Sequence, residues 1–226
     1  EVQPPGGQVR YDGTTQIDGV PGGAAAIALQ FMDTVGGATG ALLPTGNLID
    51  DIDGIDVTCM DVAVPMVIAR AADLGLTGYE SSDDLNDNPA FFSRMEALRL
   101  KAGEAMGMGD VSQSVTPKFA VLAPPRHGGN VAARYFMPWK THPTMAVTGA
   151  QCIASCVLTP GSVADGIGTV PEESPARLNL EHPLGQIEVL VDFDAAVAPI
   201  SIRSAGLVRT ARLLARGELM IPEGLI

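Results

Sequence analysis

"AVTGAQCIASCVL", residues 146–158, carries apolar or small groups on every side of a helical wheel and no charge. A helix on a protein surface keeps a polar stripe; one without it is buried all round, so the stretch reads as a central helix wrapped by other elements. Thr159-Pro160-Gly161 end it. A buried helix leaves its first N–H groups without intrahelical partners, and its dipole places partial positive charge at that end. Thr148, Gly149 and Ala150 are small and uncharged, so an anion could approach those N–H groups closely. The competing reading is that Thr148 or Thr144 caps the helix and water satisfies the rest. Cys152 and Cys156 lie four apart within the same apolar pattern, and the three cysteines are an odd count. They read as small hydrophobes in a reducing compartment rather than as a disulfide framework.

What surrounds the helix is strand-rich. Downstream, "ARLNLEHP", "GQIEVLVDF", "PISIRS" and "GELMIP" read as strands; upstream, "KFAVLAPP" and "NVAARYFM" do. Before these, "NDNPAFFSRMEALRLKAGEAMGMG" is a helix that Asn88 can cap and Pro89 can open, with Phe92, Met95, Leu98, Ala102, Ala105 and Met106 at three-to-four spacing. Gly107 and Gly109 stop it. Two β-branched runs occupy "IDDIDGIDVTCMDVAVPMVIAR", behind the acidic cluster Asp50, Asp51 and Asp53. Residues 1–53 are punctuated by Gly and Pro around short pieces such as "GQVRYDG" and "IALQFMD". A boundary near Asp53 therefore divides the chain into 1–53 and 54–226, and the class is α+β.

Composition narrows the functions. Over 226 residues, 26 acids against 14 bases give a net charge of −12, which excludes a phosphate-backbone partner. Apolar residues at 46 % suffice for a core, yet no uncharged apolar run approaches the roughly 20 residues that span a bilayer. The start, Glu1-Val2-Gln3-Pro4-Pro5, has neither an initiator methionine nor a basic segment leading into an apolar one, which reads as an internal start in a cytoplasmic protein. Three dispersed histidines carry no metal-ligand spacing, so neither metal nor cofactor is expected.

Eight segments in order, "RYDGTTQIDGVPGGAAAI", "GALLPTGN", "DVTCMDVAVPMVI", "ADLGLTGYE", "RMEALRLKAGEAMGMGDVS", "PKFAVLAPP", "EHPLGQ" and "GLVRTARLLARGEL", resemble the PrpF family. That family includes 2-methylaconitate isomerase and 4-oxalomesaconate tautomerase and shares the diaminopimelate-epimerase-like fold. The resemblance implies two pseudo-equivalent halves, each wrapping strands around a central helix, with the active site between the two helix N-termini. Residues 1–53 would end the first half, and 54–226 would form the second around the helix near 146–158. Family members are about half as long again, with an "MRGGTSKG"-like start, a proton-transferring lysine and a "NCGN"-like segment. None of these occurs here. The chain thus resembles the C-terminal portion, and the catalytic residues are expected on an N-terminal part that would be its partner. Epimerases of this fold carry a cysteine in a "CGTG"-like segment at the second central helix; Ala146 stands in that place.

The implied chemistry is cofactor-independent proton transfer on an unsaturated di- or tricarboxylate, 4-oxalomesaconate first and 2-methylaconitate second, in aromatic-compound breakdown. The other class left open is a non-catalytic polycarboxylate-binding module; a homodimer is left open too. His142, one turn before the helix, could donate to a carboxylate or enolate oxygen, or bond a neighbouring carbonyl. His182 suits a tight turn, and His127 an exposed loop. Thr45, Gly46 and Asn47 resemble a family loop near the cleft, with a plain turn as the alternative. Asp61 and Pro65 match a segment that lines the family's substrate pocket, although Val62-Ala63-Val64 departs from it. Arg209 and Arg212, three apart on a short expected helix, are cations for a polycarboxylate or partners of surface acids. Substrate binding is thus assigned to His142, Thr148, Gly149, Thr45, Asn47, Asp61 and Arg209.

Overall fold

The computed structural model describes residues 7, 11–212, 214–218, 220–222 and 224. Its strands are β1 (Ala26–Met32), β2 (Asp50–Ile52), β3 (Ile55–Val62), β4 (Val64–Arg70), β5 (Lys118–Ala123), β6 (Val131–Phe136), β7 (Ala176–His182), β8 (Gly185–Asp194) and β9 (Ser201–Thr210). The helices are α1 (Ser82–Asn86), α2 (Pro89–Ala105) and α3 (Val147–Leu158). All nine strands join one sheet in the order β1-β9-β8-β7-β6-β5-β4-β3-β2. β4 pairs with β5 and β6 with β7 in parallel; the other neighbours are antiparallel.

α3 is the helix that the uncharged stretch predicts. Every residue from Gly149 to Leu158 is buried, and it packs on β3, β4, β7, β8 and β9, drawn from both halves of the sheet. A sheet whose central and outer strands all touch one helix must curve around it. Met60, Met66, Ile68, Leu122, Leu178, Val189 and Leu207 line that concave face, each worth about 1.5–3 kcal/mol when fully buried. The helix's few polar groups bond locally or to the wall: Ser155 Oγ donates to Gln151 O, Thr159 Oγ1 to Ser155 O and Gln151 Nε2 to Ala205 O. No buried hydroxyl or amide of α3 is left without a partner.

α2 covers the opposite face of β2–β6. Asn88 Oδ1 accepts from Phe91 N, Pro89 opens the first turn, and Phe91, Met95, Leu98 and Ala102 pack on Val57, Cys59, Val67, Phe119 and Phe136. Strands buried on two faces read as the continuous apolar runs seen in the sequence. Arg99 is wholly buried on this helix. It pairs with Glu96 at 2.7 Å and donates to the carbonyls of Val111, Ser114, Thr116 and Pro117, so one guanidinium fastens the segment that leads into β5.

Two local expectations fail. Arg209 does not lie on a helix: it sits in β9 opposite Ile27 of β1, and Arg212 follows the strand, donating to Pro21 O at 2.6 Å. A three-residue spacing fits either element, but β9 gains a hydrogen-bonded neighbour on each side, and that pairing decides. "GELMIP" contains no strand at 217, 218 or 220–222; residue 219 lies outside the described residues. Near the expected boundary, Asp53 (φ 54°) and Gly54 (φ 77°) form the tight turn between β2 and β3. The sheet continues across it, with β1 and β2 at its two edges.

Replacing Arg99 with Met leaves four main-chain carbonyls and Glu96 without their donor. The expected loss is about 3 kcal/mol, read from urea denaturation; an unchanged midpoint would show that water takes over these contacts.

Candidate functional site

The first turn of α3 has no side-chain cap: Ala146 occupies the cap position and the first intrahelical bond runs from Ala150 N to Ala146 O at 2.8 Å. Neither Thr144 nor Thr148 fills the capping role. Thr148 is exposed, and Thr144 turns to His142, its N–H donating to His142 Nδ1 at 3.1 Å. With Nδ1 accepting, the neutral imidazole carries its proton on Nε2, which is then a donor. Burial pushes the His142 pKa down, so the neutral donor form is the one present near neutral pH. The ring lies edge-on to Tyr135, 5.9 Å between centroids. Tyr135 also accounts for Gly149. A Cβ there would run into Cε2 and Cδ2 of the tyrosine ring, so the room expected for an anion on that side is filled by protein. Packing explains this glycine.

A cleft of about 1010 Å³ opens between the β7–β8 hairpin, residues 15–18 and the β5–β6 loop, and neither His142 nor the first turn of α3 is part of its lining. Its walls include Tyr79, Arg134, Glu181, His182 and Arg209. Burial lowers the His182 pKa; Asp18 pulls it up, while Arg134 and His142 press it down. His182 Nδ1 also accepts from Leu184 N at 3.2 Å, the turn-fixing role expected of it. Arg209 donates from Nη1 to Val208 O at 2.9 Å. It has no carboxylate partner among the described residues, and burial pushes its pKa down.

Loops at the cleft are held by acids. Glu181 accepts main-chain N–H bonds from Arg126, His127 and Gly129 at 2.6–2.9 Å. Burial alone would raise its pKa, but these three bonds outweigh it and the net shift is downward. The loop so fixed carries Arg126 onto the Tyr79 ring, 3.3 Å from its centroid, and leaves His127 exposed as expected. Asp18 Oδ2 accepts from Gln186 N at 2.7 Å.

Of the seven expected substrate-binding residues only Arg209 lines the cleft; His142, Thr148 and Gly149 belong to the helix start, and the other three lie elsewhere. Thr45 Oγ1 and Asn47 Nδ2 both donate to the Asp50 carboxylate, at 2.7 and 2.8 Å, and close their own turn. Asp61 is 1 % exposed. Its Oδ2 accepts from Ala38 N, Thr39 N and Thr39 Oγ1, which ties the loop before β2 onto β3. His182 and Arg209 line one cleft, His142 and the first turn of α3 lie outside its lining, and Thr45, Asn47 and Asp61 have other partners. Arg134 and Glu181 were missed from the sequence; the signal was a charge inside each of two otherwise largely apolar strand runs, "VAARYF" and "ARLNLEH". Among the described residues there is no group of three or more His, Cys, Asp or Glu arranged to hold a metal, and no helix long and apolar enough to cross a membrane.

The three thiols are buried. Burial pushes Cys59 up to about 12 and Cys156 up to about 11, and raises Cys152 further. At about pH 8 a disulfide reagent should leave all three unlabelled until the chain is unfolded. The unfolded thiols ionise near 9.0 while the folded ones hold their protons, so stability should fall as pH rises above that value. Labelling in the folded state would mean that α3 opens. A second expectation concerns Gly149→Ala: roughly 1 kcal/mol of helix propensity is gained, but about 1–3 kcal/mol is lost to the clash with Tyr135. A net loss should appear in urea denaturation, and a more stable variant would show that the ring moves aside freely.

Comparison with known proteins follows the same outline. The PrpF protein family matches residues 1–222. The chain is 46 % identical to the 4-oxalomesaconate tautomerase of Pseudomonas putida over 95 % of its length and 58 % of that enzyme's. It is 44 % identical to the (4E)-oxalomesaconate Delta-isomerase of a Novosphingobium species, over 97 % of this chain and 61 % of the relative. The crystal structure of a methylitaconate-delta-isomerase superposes with a TM-score of 0.84 at 29 % identity, covering 96 % of this chain and 60 % of that one. The chain therefore spans about three fifths of the length of the relatives it matches. The fold is α+β and diaminopimelate-epimerase-like, a sheet wrapped around a central buried helix. On the match over residues 1–222, this chain is a member of the PrpF family.

Proposed function

We propose that the chain is part of a cofactor-independent isomerase that moves a proton and a double bond within an unsaturated di- or tricarboxylate, with 4-oxalomesaconate as the substrate. The observation that carries this reading is the 44–46 % identity, over nearly the whole chain, to two enzymes named for oxalomesaconate, against 29 % for the methylitaconate enzyme. In this reading residues 1–53 end one epimerase-like half and 54–226 form the other, and the proton-transferring base belongs to the two fifths of the family's length that this chain does not span. That part would be the chain's partner, in the cytoplasm and in aromatic-compound breakdown. Whether the assembled enzyme pairs as a homodimer does not bear on the chemistry.

The base removes a proton α or vinylogous to a carbonyl, and a proton returns at another carbon. The dienolate between these steps carries its negative charge on oxygen. The uncapped N–H groups of α3 and the Nε2–H of His142 are suited to hold it, since both are fixed before the charge develops. Aligning the carboxylates selects which carbon loses the proton, so both halves must grip the substrate.

The chain alone should show no turnover of 4-oxalomesaconate by absorbance. Joined to the N-terminal two fifths of a PrpF relative, it should turn it over. In the joined enzyme His142→Ala should lower kcat/KM by roughly tenfold to a hundredfold, while Asn47→Ala stays within about threefold. Turnover by the chain alone, or a folded joined enzyme that leaves 4-oxalomesaconate unchanged, would overturn the reading.

A further inference from the structure

The fold contains two buried arginines, and they are treated differently. Arg99 has its carboxylate and four carbonyls. Arg134, in the middle of β6, is 6 % exposed. It donates from Nε to Glu80 O at 2.7 Å and from Nη1 to Ala133 O at 2.9 Å, and makes no ion pair among the described residues. Its Nη2 has no acceptor among them, and the side chain lines the cleft.

The acids around it are already occupied. Glu80 is bound by the N–H groups of Thr77 and Gly78 and by the Thr77 hydroxyl. Glu181 and Asp18 are taken by main-chain N–H groups, and Glu188 by Arg177. Burial lowers the Arg134 pKa, although the fields of Glu80, Glu181 and Tyr79 offset part of that. A mostly buried guanidinium that opens a free donor onto a cleft and has no bonded anion is a feature that an anionic ligand completes. Arg209 lines the same cleft with donors to spare.

We propose that Arg134, with Arg209, binds a carboxylate group of a small polycarboxylate in this cleft. The planar guanidinium matches a carboxylate edge-on, and a volume of about 1010 Å³ accommodates a three-carboxylate molecule, far larger than a single phosphate ion. The inference rests on the proposed function for the class of ligand and on the geometry for the place.

The test titrates the 226-residue chain with tricarballylate, a tricarboxylate with no double bond to move, with acetate and inorganic phosphate as separate arms. Saturable binding of tricarballylate is expected, with the methyl resonances of Leu184, Ile187 and Val208, all in the cleft lining, shifting on addition. Arg134→Met should weaken binding by at least about tenfold and Arg134→Lys by less. Unshifted cleft methyls in the wild-type chain overturn the proposal whether or not the variants fold. So does a folded Arg134→Met chain of unchanged affinity, and phosphate binding as tight as tricarballylate overturns the carboxylate assignment. Arg134-dependent binding in a chain whose joined enzyme leaves 4-oxalomesaconate unchanged removes the isomerase reading and keeps this one. Turnover unaffected by Arg134→Met does the reverse.

Discussion

Burying α3 on every side is the constraint from which the other features follow. A helix with no solvent face can carry no charge, so its sequence is apolar and small throughout, and its hydroxyls bond back to the preceding turn. Strands must then surround it, which bends a nine-stranded sheet into a wrapper and gathers β3 and β8, distant in sheet order, onto one helix. Only the start of the helix escapes enclosure, with Val147 and Thr148 exposed. Its uncapped first turn is therefore where polar main chain meets the outside, with His142 one turn before it.

The acidity of the chain finds its explanation inside the fold. The chain carries a net charge of −12, and many of its acids serve as loop fasteners. Asp61 holds residues 38 and 39, Asp50 closes the turn at 45–47, Glu80 closes 77–78, Glu181 holds 126–129, and Asp165 accepts from Gly161 N. Asp50 accepts from two side chains of its turn, and each of the others supplies acceptors to main-chain N–H groups that irregular segments cannot pair among themselves. Arginines left over from this arrangement lie at the cleft.

Much of the architecture could be read before any coordinates. The uncharged run at 146–158, the cap at Asn88 and the alternating strand runs are local signals, and α3, α2 and β5–β8 followed from them. Arg209 was placed on the wrong element because a strand's claim on a residue comes from neighbours far away in sequence, which spacing does not encode. The site divided along the same line. His142 was legible from its distance to the helix start, whereas Arg134 and Glu181 acquire meaning only when β6, β7 and two loops are brought together. Thr45 and Asn47 bond Asp50 within their own turn, and Asp61 on β3 bonds residues 38 and 39, partners that only the folded chain reveals.

The pairing of β1 with β9 carries a consequence for how the molecule is made. Ala26 faces Thr210 and Met32 faces Ser204, so nearly the whole described chain lies between the partners. On a ribosome, β1 emerges well before β9, its sheet neighbour among the described residues, while α2, α3 and β3–β8 can assemble from nearer segments. Arg209 reaches its place only with that pairing. The β9 wall of the cleft is thus finished after the rest, and β1 keeps Phe31 and Met32 exposed even when paired.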